Sequence, residues 1–171
     1  SGVVGFALSA YPIGVEHGWL ERNEAAQRTL LTLRFFMDSD QSRAPNATGY
    51  HGFYFHFLDM QSGTRVWLSE LSLIDTAILI AGFLTAAAYF DAESAAETEL
   101  RRLAEALYAR VDWRWAQHEG AAVTHGWKPE CGFLNYGWEG YSAAILLYVL
   151  GLGWPSHPPT QRRSIAGQLH Y

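Results

Sequence analysis

Residues 73–90 read LIDTAILIAGFLTAAAYF, and residues 91–111 follow as DAESAAETELRRLAEALYARV. The first stretch, a helix of about residues 71–90, is apolar nearly all round and must be covered on every side. The second, about residues 95–111, confines its apolar residues to the stripe Ala96, Leu100, Leu103, Leu107 and Val111, with Glu97, Arg101, Arg102 and Glu105 outside. Ser94 and Glu97 give it a capping-box signature. The same alternation extends in both directions. About residues 3–11 are apolar apart from Ser9. Residues 24–37, with Asn23 as the expected cap, carry the stripe Ala26, Leu30, Leu33 and Met37. Residues 141–152 are wholly apolar again and end at Gly151, Gly153 and Pro155.

The order apolar, striped, apolar, striped, apolar predicts an all-α chain of about five helices. Its simplest architecture is a double ring of helical hairpins, with inner helices lining the core and outer helices wrapping it. A bundle around one central helix is the alternative. No fixed-period repeat points to a solenoid of identical units. At 171 residues the length suits one domain or part of a larger one. The 49% apolar content, with 7 Trp, 9 Tyr and 9 Phe, excludes a disordered chain. A net charge of −5 with scattered basic residues leaves no footprint for nucleic acid. The lone Cys131 excludes an internal disulfide framework and a cysteine-rich zinc site. Residues 73–90 are long enough to test as a membrane span. Asp75 within them, Glu70 before them and the missing basic flanks favour a buried helix.

Two long connections each lead from a striped helix into an apolar one. Residues 38–69 contain a turn-rich piece and then residues 53–58 and 64–68, which read as a β-hairpin about the turn 59–63. Residues 112–140 form the second connection. If the inner helices run parallel, both connections lie at their N-terminal end, and most of the Trp and His residues gather there. Glu70 and Glu139 precede or open inner helices on that rim. Paired carboxylates flanking a bond are what glycoside hydrolysis needs. A helix N-terminus favours an ionised carboxylate, which suits a base or nucleophile; ordinary complementation of the helix dipole is the plainer explanation. Tyr54, His56, Trp67, Trp127, Trp138 and Tyr141 lie around these acids, and their half-polar rings suit sugar faces. Asp75, inside an apolar helix, must be paired, hydrogen-bonded or protonated, in a structural or a functional role. His51 and His56 fall on opposite faces of an extended segment, and no metal-binding, nucleophile-elbow or phosphate-loop motif occurs.

The strings Gly52-Phe53-Tyr54-Phe55-His56-Phe57-Leu58-Asp59-Met60, Trp67, Glu70-Leu71-Ser72 and Ile74-Asp75-Thr76-Ala77 resemble the glycoamylase-like family. So do Val111-Asp112-Trp113, Gly126-Trp127-Lys128-Pro129-Glu130, Gly132-Phe133 and Ser156-His157-Pro158. The resemblance covers about residues 2–158 and leaves 159–171 as a tail without a counterpart. It implies an α/α toroid of six hairpins, of which this chain would hold the N-terminal two and a half. It also implies activity on bacterial β-1,2-glucan, without a cofactor. Where the family reads Tyr, then Asn or Ser, then Glu, this chain has Tyr141-Ser142-Ala143, so a functional carboxylate is missing at Ala143. The expectation is therefore a glycoside hydrolase-like chain with Glu70 and Glu139 as candidate acids, inactive by itself. A non-catalytic carbohydrate-binding or assembly module is the rival. Inner helices without ring neighbours predict self-association or a complementary chain. The sequence names no compartment; a bacterial periplasm or cell envelope is compatible with it.

Overall fold

The computed structural model describes residues 1–118, 122–138 and 142–153. Its elements, in order, are α1 (Gly2–Glu16), α2 (Arg22–Asp38), β1 (Gly49–Tyr50), β2 (Phe53–Phe55), β3 (Leu71–Ser72), α3 (Leu73–Tyr89), α4 (Ala95–Arg110), α5 (Trp113–Gln117), β4 (Gly126–Lys128), β5 (Gly132–Phe133) and α6 (Ile145–Gly153). The helices stack in two layers. Apolar α1, α3 and α6 contact one another in order, while striped α2 and α4 pack together outside them. This is the alternation the sequence predicts, arranged as part of an α/α toroid.

Direction follows from particular contacts. Gly2 lies against Asp75, Gly5 against Ile78 and Leu79, and Gly82 against Gly5, so α1 and α3 run the same way. A Cβ on Gly82 would stand 2.4 Å from the Gly5 carbonyl oxygen, so the absence of side chains there sets how closely the two helices approach. In the outer layer Arg22 binds Glu97 where both helices begin, and Arg110 donates to the Phe36 and Met37 carbonyls where both end. Outer helices are therefore also parallel to each other.

Several boundaries differ from the sequence expectation. α1 continues five residues past Tyr11, through Pro12, because Leu8 and Pro12 are buried and Tyr11 and Val15 pack on the core. Burial offsets the lost backbone bond, a cost of about 3 kcal/mol in a helix interior. Asn23 is not a cap. α2 begins earlier, behind Glu21, with no side-chain cap; Arg22 holds that end by reaching Glu97, Asp91 and the Tyr89 carbonyl. Ser94 does cap α4 by accepting from Glu97 N–H, but the Glu97 carboxylate turns to Arg22 and Ala92 N–H and is buried, not outside. Glu70 does not open α3. Two strand residues intervene, and Ser72 is the cap that accepts from Asp75 N–H.

The expected hairpin is reduced to one bridge, Leu58 to Arg65. Phe53, Tyr54 and Phe55 are all buried and pair on both sides, making β2 an interior strand. The five short strands form one antiparallel sheet in the order β1-β2-β3-β4-β5, which joins both long connections. Asp59 N–H still donates to the Thr64 carbonyl and Val66 N–H to the Phe57 carbonyl, while the Arg65 side chain turns inward over the Phe55 ring and donates to the Ser69 carbonyl. Trp67 and Leu68 then adopt left-handed backbone at φ 55° and 51°. Among the described residues, no helix is long and apolar enough to cross a membrane. The expected tail 159–171 lies outside the described residues.

Candidate active site

Strand pairing brings the acids together. Tyr54 pairs with Ser72 and Phe55 with Leu71, so His56, just after β2, faces Glu70, just before β3. His56 N–H donates to the Glu70 carbonyl at 2.9 Å. β3 runs directly into α3, whose first turn carries Asp75. His56 Nδ1 then lies 2.5 Å from Asp75 Oδ2 and 3.8 Å from Glu70 Oε1. Glu70 and His56 keep about a third of their side chains exposed, while Asp75 keeps a fifth. Gly126 on β4 makes room for Glu70: a Cβ there would stand 3.1 Å from Glu70 Cγ and 2.6 Å from the Leu71 carbonyl oxygen. The His56, Glu70 and Asp75 cluster thus stands where the sheet meets the N-terminus of an inner helix.

Aromatic rings flank this cluster. Phe57 packs edge-on to His56 and to Trp67, with centroids 4.1 and 5.1 Å apart. Trp67 is 81% exposed, unusual for indole and consistent with a platform. On the far side the His125 carbonyl accepts from Leu73 N–H, and the His125 ring stacks on Trp138 at 4.1 Å. Trp138 is partly buried and its carbonyl accepts the Tyr148 hydroxyl. Phe57 and His125 are additions to the sequence reading. Their positions beside His56 and in the second connection were the available signals.

Two expected sugar contacts are corrected. Tyr54 has no exposed surface; its hydroxyl donates to the Phe36 carbonyl and accepts from Arg110, and burial pushes its pKa up. Trp127 is 5% exposed, stacked on Tyr50 at 5.0 Å and edge-on to Trp115. Both rings support the sheet from inside. Glu139 and Tyr141 lie outside the described residues. Ala143 is exposed just ahead of α6, where its carbonyl accepts from Leu146 N–H.

A second polar cluster lies on the outer edge of the sheet. His51, at φ 53°, stacks on Trp115 with ring planes 6° apart, and its Nδ1 is 3.2 Å from Asp112 Oδ2. Asp112 also caps α5 by accepting from Trp115 N–H. With Gln41, Tyr50 and Arg110, His51 and Asp112 line an open cleft, separate from Glu70. Among the described residues no three His, Cys, Asp or Glu side chains gather to hold a metal ion.

Comparison with known proteins supplies a family context. No family model matches the chain. An exo β-1,2-glucooligosaccharide sophorohydrolase (non-reducing end) of Parabacteroides distasonis is 27% identical over an alignment 165 positions long that covers 92% of this chain and 22% of that protein. The crystal structure of a β-1,2-glucanase from Parabacteroides distasonis superposes with a TM-score of 0.80 at 27% identity, over 90% of this chain and 22% of the other. An endo-β-1,2-glucanase from Chitinophaga pinensis, solved with sophorotriose and glucose, gives 0.79 at 23% identity, over 90% and 36%. The chain therefore resembles glycoamylase-like, β-1,2-glucan-active enzymes in sequence and fold. It spans about a fifth of the curated relative's length.

Proposed function

We propose that this chain is the part of a β-1,2-glucan-acting glycoside hydrolase that bears one catalytic carboxylate, Glu70. The observation that carries the reading is the cluster of Glu70, His56 and Asp75, in which Glu70 and His56 are partly open to solvent, flanked by exposed Trp67. The names of the similar proteins support the linkage. Hydrolysis needs one carboxyl to protonate the leaving oxygen and a second to activate water or attack. Glu70, partly exposed beside a histidine, serves as one member of such a pair. The second comes from Glu139 or from residues of a longer protein, because position 143 offers only a methyl group. Trp67 and Trp138 supply stacking faces for glucose rings, and His56 supplies a hydrogen-bonding edge. No cofactor enters this scheme; carboxylates and water suffice.

The 171-residue chain is accordingly expected to bind β-1,2-linked oligosaccharide weakly and to release no significant reducing ends. A missing acid or base removes a contribution of roughly 100- to 10,000-fold. In a longer protein that restores activity, Glu70→Gln lowers the rate by a factor of that order, while Ala143→Glu raises it. Reducing-end release from linear β-1,2-glucan measures both. Turnover by the short chain that Glu70→Gln leaves unchanged would overturn the assignment. The exposed Ala143 favours a second reading, a carbohydrate-binding or assembly module without catalysis. That reading predicts oligosaccharide binding with no turnover even in the longer protein, and with Ala143→Glu without effect.

A further inference from the structure

Asp75 differs from its neighbours in how little of it a ligand can reach. Its Oδ2 has no accessible surface and no aligned hydrogen bond, and His56 Nδ1 stands against it at 2.5 Å. Its Oδ1 faces Gly2, where a Cβ would come within 2.5 Å of that oxygen. A carboxylate oxygen buried without a proton donor is costly, so the nitrogen set against Oδ2 is the group that must supply one. The rest of His56 is already held. Its N–H donates to the Glu70 carbonyl, its carbonyl accepts from Ser1 N at 2.7 Å, and Phe57 packs edge-on to the ring. What remains free is the choice of tautomer, which the hydrogen bond at one ring nitrogen decides for the other.

We propose that Asp75 is a positioning residue: it keeps the His56 proton on Nδ1, so that Nε2, across the ring from both carboxylates, is left as an acceptor for a sugar hydroxyl. This rests on the glycan reading above and replaces the expectation that Asp75 itself contacts sugar. The arrangement gives the site a hydrogen-bond acceptor in the same cluster as the candidate acid.

The test reads the tautomer directly. The chain is labelled with nitrogen-15 at histidine and recorded over a series of rising pH, and the tautomer is read where the ring signals no longer move with pH. Loss of signals in His56→Gln identifies the ring. The proposal expects a protonated-type shift at Nδ1 and a lone-pair-type shift at Nε2 in the wild-type chain. Asp75→Ala should shift the population toward Nε2–H. Wild-type His56 protonated at Nε2, or a tautomer indifferent to Asp75→Ala, overturns the proposal. Titration with a β-1,2-linked glucose oligosaccharide should then move Nε2, and Asp75→Ala should weaken binding about threefold to tenfold, the value of one hydrogen bond. If sugar binds equally to both proteins and Nε2 stays still, the positioning role fails while the glycan reading stands. If the Nδ1–H tautomer is found but no oligosaccharide of any linkage binds, the glycan reading fails, and with it the presentation of Nε2 to sugar.

Discussion

Arg65 shows how much of the site depends on one buried cation. Its side chain is 1% exposed, and it binds Glu130 through both guanidinium ends while donating to the Ser69 and Pro45 carbonyls. Ser69 is the residue before Glu70, so this clamp holds the strained Trp67-Leu68 turn and the approach to the candidate acid. Glu97 plays the matching part elsewhere, buried and bound by Arg22. Hydrogen bonds from Arg65 and Arg22 hold the Glu130 and Glu97 carboxyls below the ordinary glutamate range. A depressed folded pKa contributes stability that is present above the unfolded value, near 4.3, and is lost as pH falls through the folded value. Urea midpoints should therefore hold steady from about pH 7 to 5 and drop below about pH 4.3. Glu97→Gln should flatten that drop more than Glu130→Gln, because Glu130 is nearly half exposed and solvent screens its pair. Equal slopes in all three proteins would refute this assignment. Such partners explain what the sequence conceals. Glu70 and His56 were legible as polar residues of one rim, at the start of an inner helix and within the first connection, but whether an aromatic ring faces in or out depends on distant chain. Tyr54 is claimed by Arg110, 56 residues away, and Trp127 by Tyr50.

Alternating apolar and striped helices could be read because helical periodicity is local, and α2 and α4 bury nearly the predicted stripes. The sheet could not be read in the same way. Its strands are two or three residues long, and β3 pairs with β4 across more than fifty residues. No period develops over so short a run, so the link between the two connections appears only in three dimensions. The crossing of α1 and α3 is similarly hidden in isolated glycines. A Cβ on Gly5 would stand 2.3 Å from the Ile78 carbonyl oxygen, and one on Gly82 would stand 2.6 Å from Gly5 Cα. These obstacles are backbone atoms, which cannot turn aside as a side chain can. Gly82→Ala should therefore destabilise the chain by about 1–3 kcal/mol, as overpacking does, although alanine is the better helix former. Because α1 and α3 carry Gly2 and Asp75 at the same end, the substitution should also disturb the His56 contact. Urea unfolding measures the first effect and His56 chemical shifts the second. A Gly82→Ala chain as stable as the parent would mean that the helices do not touch there.

Self-association was expected from inner helices lacking neighbours, α3 among them. α3 packs against α1 and α6 in its own layer and against α4 outside, and Ile74, Ile78, Ala81, Thr85 and Ala88, at alternating spacings of four and three, keep one of its faces partly exposed. The apolar surface lies at the two ends of the inner layer. On α1, Val3, Phe6 and Ile13 are 80%, 64% and 56% exposed; on α6, Val149 and Leu152 are 58% and 38% exposed. Spacings of three and seven residues place the α1 set on one helical face. Both sets lie on inner-layer helices and are uncovered among the described residues. Exposed apolar patches of several hundred Å2 are uncommon on monomers and drive association. At about 0.1 mM, within the range where such surfaces associate, the chain should scatter light as a species heavier than 19.1 kDa. The double substitution Val3→Glu and Phe6→Lys should return it toward the monomer mass. Leu31 is also 63% exposed but sits on α2 in the outer layer, so Leu31→Lys should leave the association intact. This contrast separates ring-edge contacts from general stickiness: if all three proteins are monomeric and melt cooperatively, the open edges attract nothing, and if Leu31→Lys disperses them as well, the contact lies elsewhere.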